Sequence, residues 1–200
     1  MGSTTMLDIV GSMLIGAFLL LAAVRMNEKA TRNTFESQEN LTVQQNLTSI
    51  IENIQWDFRK IGYCRDPKQI RDPRYFILYG DVDSLVFRAD LSNVGKTDTV
   101  RWYLGQYVAG PNKKIRMLCR QVNSEPPLQA NLGVTEFKLK YYDVSDSEMT
   151  TVVAPQESTP QLVELTLRIE PTAAYDTAYT SNFAYWRQTR LVSRNMILQR

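Results

Sequence analysis

The chain has 200 residues, 44% of them hydrophobic, and a formal net charge of +2. That length suffices for one domain with its own core, and the 23 basic residues are scattered, so the footprint of a nucleic-acid binder is absent. There is no histidine, which removes the commonest general base and metal ligand, and with it serine and cysteine triads of the usual kind and most zinc sites.

Ile9 to Val24 carries no charge, and between Gly16 and Gly62 neither glycine nor proline interrupts the chain. A single helix is expected from about residue 5 to residue 61, which at 1.5 Å per residue would be about 85 Å long. Its first segment, 1–26, reads as a transmembrane or filament-core helix. The uncharged run of 16 residues falls short of the roughly 20 that cross a bilayer. Extending it back through Met6, Leu7 and Ser3–Thr5 reaches that length but includes Asp8, a group expensive near lipid unless paired. A cleaved signal peptide ending near Leu-Leu-Leu-Ala-Ala is the rival; no basic residue precedes the run, and the helical pattern continues beyond Ala23. Arg25, Lys29 and Arg32 follow the span, which by the positive-inside rule would keep the remainder cytoplasmic.

The second segment, 27–62, continues the helix. Val43, Leu47, Ile50, Ile51, Ile54, Phe58 and Ile61 recur every three or four residues and define one face that packs on the sheet of the same domain. Gln44, Gln45, Thr48, Asn53 and Asp57 are expected on the opposite face. Residues 27–42 are polar almost all round, and such a helix is marginal alone, so it needs partners. Asn40-Leu-Thr and Asn46-Leu-Thr match a glycosylation pattern, but inside a helix they read as chance.

Residues 63–200 switch to strand periodicity. Gly62 ends the helix, and strands are expected at Tyr75–Tyr79, Ser84–Ala89, Thr99–Leu104, Lys114–Gln121, Thr135–Tyr142, Leu162–Ile169 and Trp186–Met196. Short strands joined by turns imply antiparallel sheets on the helix's apolar face, an α+β fold. Cys64, just past the helix, and Cys119, inside a strand, could form one disulfide. It would close a loop of more than 50 residues, contribute about 3–4 kcal/mol and indicate an oxidising compartment; two buried free thiols are the alternative.

No catalytic set emerges. Gly95-Lys96-Thr97 has the end of a phosphate loop but carries Asp90 where that loop needs its first glycine. Asp81, Asp83 and Asp90 lack the count and spacing of a calcium loop and read as an acidic turn. Asp143, Asp146 and Glu148 with Ser145 and Ser147 read as a solvated turn. Tyr175, Tyr179, Phe183, Tyr185 and Trp186 form an aromatic stretch, read as core or edge packing before contact surface. No catalytic residue, cofactor or metal site is expected.

The whole chain resembles the type IV filament superfamily, the pilins and the pseudopilins of type II secretion. Gly2-Ser3-Thr4-Thr5-Met6-Leu7-Asp8 before Ile9–Val24 is similar to the prepilin pattern of a glycine, a few residues, an acid and an apolar helix. Val100–Leu104, Ile115–Arg120, Val134–Asp143 and the ending Thr189–Met196 resemble the minor pseudopilins of the J class and related minor pilins. The resemblance implies a prepilin peptidase cutting after Gly2 and methylating Ser3, and Asp8 neutralising the N-terminal amine of a neighbouring subunit. Here the acid would be sixth in the mature chain and an aspartate, where the family has a glutamate fifth, and serine would stand for phenylalanine.

By the same resemblance the chain is not an enzyme. It is a structural subunit, minor pilin or pseudopilin, that joins other such subunits and primes or caps a filament. It would sit as a single pass in the inner membrane with residues 63–200 periplasmic or extracellular, against the positive-inside reading. The alternative is a single-span anchored β domain that binds a ligand or partner without forming a filament.

Overall fold

The computed structural model describes residues 2–110, 112–155, 160–172 and 185–197. Helix α1 spans Gly2–Arg59 without interruption. Among the described residues ten strands follow: β1 Ile77–Asp81, β2 Ser84–Ala89, β3 Asp98–Tyr107, β4 Arg116–Val122, β5 Leu128–Ala130, β6 Val134–Tyr142, β7 Glu148–Met149, β8 Val152–Val153, β9 Leu162–Ile169 and β10 Tyr185–Val192. The short helix α2, Arg194–Ile197, comes after them. The chain divides into two compact units, Met1–Leu41 and Thr42–Arg200.

The fold is α+β. All observed strand pairings are antiparallel, in a six-stranded sheet ordered β5-β4-β3-β2-β1-β8 and a four-stranded sheet ordered β10-β9-β6-β7. The two sheets meet where the Leu139 amide donates to the Val82 carbonyl at 2.7 Å and the Tyr141 hydroxyl donates to the Asp81 carbonyl at 2.9 Å. Gly80 is required at that junction, because a Cβ there would lie 2.7 Å from the Tyr141 ring.

Strand alternation decides which side chains meet α1. Leu85, Trp102, Arg120 and Leu128 stand in register across β2, β3, β4 and β5, facing the helix. The helix answers with Val43, Ile50, Ile51, Ile54 and Phe58, all buried in one core with Phe87, Leu85 and Val100. Ile61, expected on the same helical face, is buried there too but lies in the turn after Arg59, where α1 ends. Leu47, expected on the same face, is only partly buried against that core. Phe58 meets Phe87 edge-to-face at 5.8 Å, a contact contributing about 0.5–1.5 kcal/mol beyond burial.

Several strand bounds differ from expectation for local reasons. Asp72 caps a 3-10 turn over Pro73–Tyr75 by accepting from the Arg74 amide, so β1 begins only at Ile77. The last expected strand stops at Val192, and Arg194–Ile197 turns into α2. The edge strands β5, β7 and β8 have two or three residues each, too short for a visible period. The acidic turn is as expected: the Asp143 carboxylate accepts from the Ser145 and Ser147 amides. Of the aromatic stretch, Tyr175, Tyr179 and Phe183 lie outside the described residues, as do the side chains of Tyr185 and Trp186.

Candidate functional site

Two surfaces of α1 carry the function-related residues. The first is its N-terminal half. Gly2 and Ser3 lie in the first turn, and every large apolar side chain from Met6 to Val24, twelve in all, is exposed. Burying them would contribute roughly 20–30 kcal/mol in total. No stable state in water leaves that unmet. Among the described residues this is the one helix long and apolar enough to cross a membrane. The Ser12 hydroxyl donates to the Ile9 carbonyl at 2.9 Å, so it needs no water in a nonpolar medium. Asp8 is exposed on the same helix with no bonded partner among the described residues. Gly11 and Gly16 have open space around them, which would allow another helix to approach closely.

The second surface joins the helix to the sheet, and here one residue departs from its expected place. Asp57, expected on the polar face, is buried. Its carboxylate accepts from Trp102 Nε1 at 2.8 Å and from Arg120 Nε and Nη2 at 2.6 and 3.0 Å. Two facing donors thus satisfy the charge, and a bidentate fork fixes the rotation of α1 over the sheet. The signal was available in the spacing: Asp57 follows Ile50 by seven residues and Ile54 by three, and so belongs to the buried face. Its chemical type concealed it. Asn46 lies on the same side of the helix, its amide 3.5 Å from the Leu132 carbonyl.

The expected disulfide is absent: Cys64 and Cys119 are both free thiols. Strand parity is the reason. Leu118 and Arg120 face the helix, so Cys119 points to the other side of the sheet, where its sulfur lies 2.8 Å from the position of a Cβ on Gly105. Cys64 instead lies 3.9 Å from the Asp90 carboxylate in the loop after α1. Burial pushes both thiols above their ordinary pKa, Cys64 further held up by Asp90 and Cys119 opposed by the Tyr103 hydroxyl.

The three aspartates do not gather into a cation site. Asp81 accepts from the Tyr79 hydroxyl at 3.0 Å, and Asp83 pairs with Arg116 at 3.5 Å. Asp90 is fully buried and accepts from the backbone amides of Gly95, Arg65 and Val94 at 2.8, 3.2 and 3.2 Å. It occupies the position of the missing phosphate-loop glycine and serves as that loop's internal anion. Among the described residues no group of three or more metal-ligating side chains is found.

No family model matches the chain, and no curated protein does. The functional reading therefore rests on the residues themselves.

Proposed function

We propose that this chain is a structural subunit, a minor pilin or pseudopilin, of a type IV pilus-like or type II secretion filament. One observation carries the reading: an apolar helical segment with no buried side chain runs without a break into the segment that anchors the α+β core. In the bilayer the apolar half is stored among lipid tails. On assembly the same surface packs against neighbouring helices, so little of it meets water at any step.

Asp8 gives the assembly its register, because a carboxylate in an apolar helix bundle is penalised unless it meets a cation such as a neighbour's N-terminal amine. The partners are other pilin or pseudopilin subunits, with a prepilin peptidase acting at Gly2–Ser3. The globular part lies outside the cytoplasm, and no step requires catalysis or a cofactor.

Intact mass and N-terminal sequencing of the protein from its native membrane test the processing. The expected chain begins at methylated Ser3; a cut near Ala23 would overturn the reading. Replacing Asp8 by alanine separates filament subunit from plain anchor. Assembly collapses in the first case, whereas unchanged assembly or localisation would leave only an anchored domain.

A further inference from the structure

A groove of about 430 Å3 opens between α1 and the β5 end of the first sheet, wholly within Thr42–Arg200. Its volume lies in the range of about 300–1,000 Å3 typical of small-ligand sites. One wall is Trp56, whose side chain folding leaves 65% exposed. A cation lies over the indole: Lys60 Nζ is 5.0 Å from its ring centre and donates to the Leu91 carbonyl at 2.7 Å. Leu128, also exposed, lines the groove from the edge strand β5.

The charge of the lining decides what it can take. Its one carboxylate, Asp57, and its one guanidinium, Arg120, are bonded to each other, so the walls are neutral and favour neither a cation nor an anion. Polar capacity remains nonetheless. Asp57 engages Nε and Nη2 of Arg120, and Nη1 has no partner among the described residues. Asn53 donates through Nδ2 to the Ser49 carbonyl, which leaves its amide oxygen as an acceptor. A purely hydrocarbon ligand would strip water from these groups without replacing it.

We propose that this groove binds a neutral saccharide, of the class of β-linked N-acetylhexosamine oligomers. The C–H face of a pyranose ring stacks on the exposed Trp56 indole. Hydroxyl and acetamide groups meet the Arg120 Nη1 donor and the Asn53 acceptor, and the acetyl methyl lies against Leu128. The floor needs no movement to receive it, because Trp102 is already bonded to Asp57.

The test uses the full chain in a polyoxyethylene detergent, so that no sugar headgroup competes. The trisaccharides of N-acetylglucosamine, cellulose and maltose are titrated by calorimetry and tryptophan emission. Saturable binding of the N-acetylglucosamine trisaccharide is expected, with a Kd of about 10 μM to 1 mM. Trp56→Ala should weaken it about tenfold or more, and Asn53→Ala severalfold. Both side chains are exposed, and an unchanged melting temperature would show that the fold persists. Absence of saturable binding, binding of the glucose oligomers alone, or binding that Trp56→Ala leaves intact would each overturn the proposal. None of these outcomes depends on whether α1 assembles into a filament.

Discussion

The Ser193 hydroxyl donates to the Ile61 carbonyl at 2.7 Å, across 132 residues of sequence. The Asn195 amide reaches the same carbonyl at 3.2 Å, and Ser193 also approaches the Arg59 carbonyl at 3.3 Å. The last carbonyls of a helix have no partner within it. Here the C-terminal segment provides one, and Met196 is buried in the core beside it. Ser193→Ala removes the shorter of the two bonds to the Ile61 carbonyl and should cost about 0.5–1.5 kcal/mol, read as a lower urea midpoint at unchanged slope.

Removing the Asp57 carboxylate should be far more damaging. Asp57→Ala strands the Trp102 indole N–H and the Arg120 guanidinium at the helix–sheet junction, at a cost of about 3–5 kcal/mol. The Asp57→Leu/Arg120→Met double variant should recover part of that loss, because it removes both charges together. A double variant no more stable than Asp57→Ala would show that the ion pair is not what the position contributes.

Glycine substitutions separate two causes of strain. Gly62 has φ +71° and its missing Cβ faces the Phe76 ring, whereas Gly95, at φ +82°, would place a Cβ no closer than 3.5 Å to its neighbours. Gly95→Ala should therefore cost about 1 kcal/mol from backbone conformation alone, and Gly62→Ala clearly more. Equal losses would mean that the Phe76 ring yields freely.

Acid stability should depend on Asp90. Burial alone would raise its pKa, but the amides of Gly95, Arg65 and Val94 outweigh burial and hold it below the ordinary 3.8. A carboxyl depressed on folding contributes stability that is complete above its unfolded value and lost as pH falls through the folded one. The stability gap between the wild type and Asp90→Asn should be constant from neutral pH down to about 5 and narrow below about 4. A gap that does not change with acid would contradict this role.

The cysteines should behave as thiols throughout. Denatured protein should titrate with two free thiols, and reductant should leave the melting temperature unchanged. In the folded state alkylation should be slow at both positions, because burial raises both pKa values, and slower at Cys119, which is 1% exposed. A single intramolecular bridge in the native protein would refute the placement of Cys119 on the far face of the sheet.

Local patterns were legible in the sequence. An uncharged run, a three-four apolar repeat from Val43 to Ile61 and the absence of breakers determined the long helix. Clean alternation in Glu136–Tyr141 and Glu164–Ile169 determined two of the longest strands. These signals are periodic and strong because each element buries one face. The tertiary structure alone decided what depends on pairing across the chain. Asp57 reads as solvated until Arg120 and Trp102 stand opposite it. Cys119 reads as a disulfide partner for Cys64 until register turns it to the other face. Asp90 looks like one of three acids in a turn until three backbone amides close around it. The two-residue and three-residue edge strands, and the groove that β5 forms with α1, have no local signature. They exist because neighbouring strands present unpaired backbone groups, and sequence spacing does not encode which neighbours those will be.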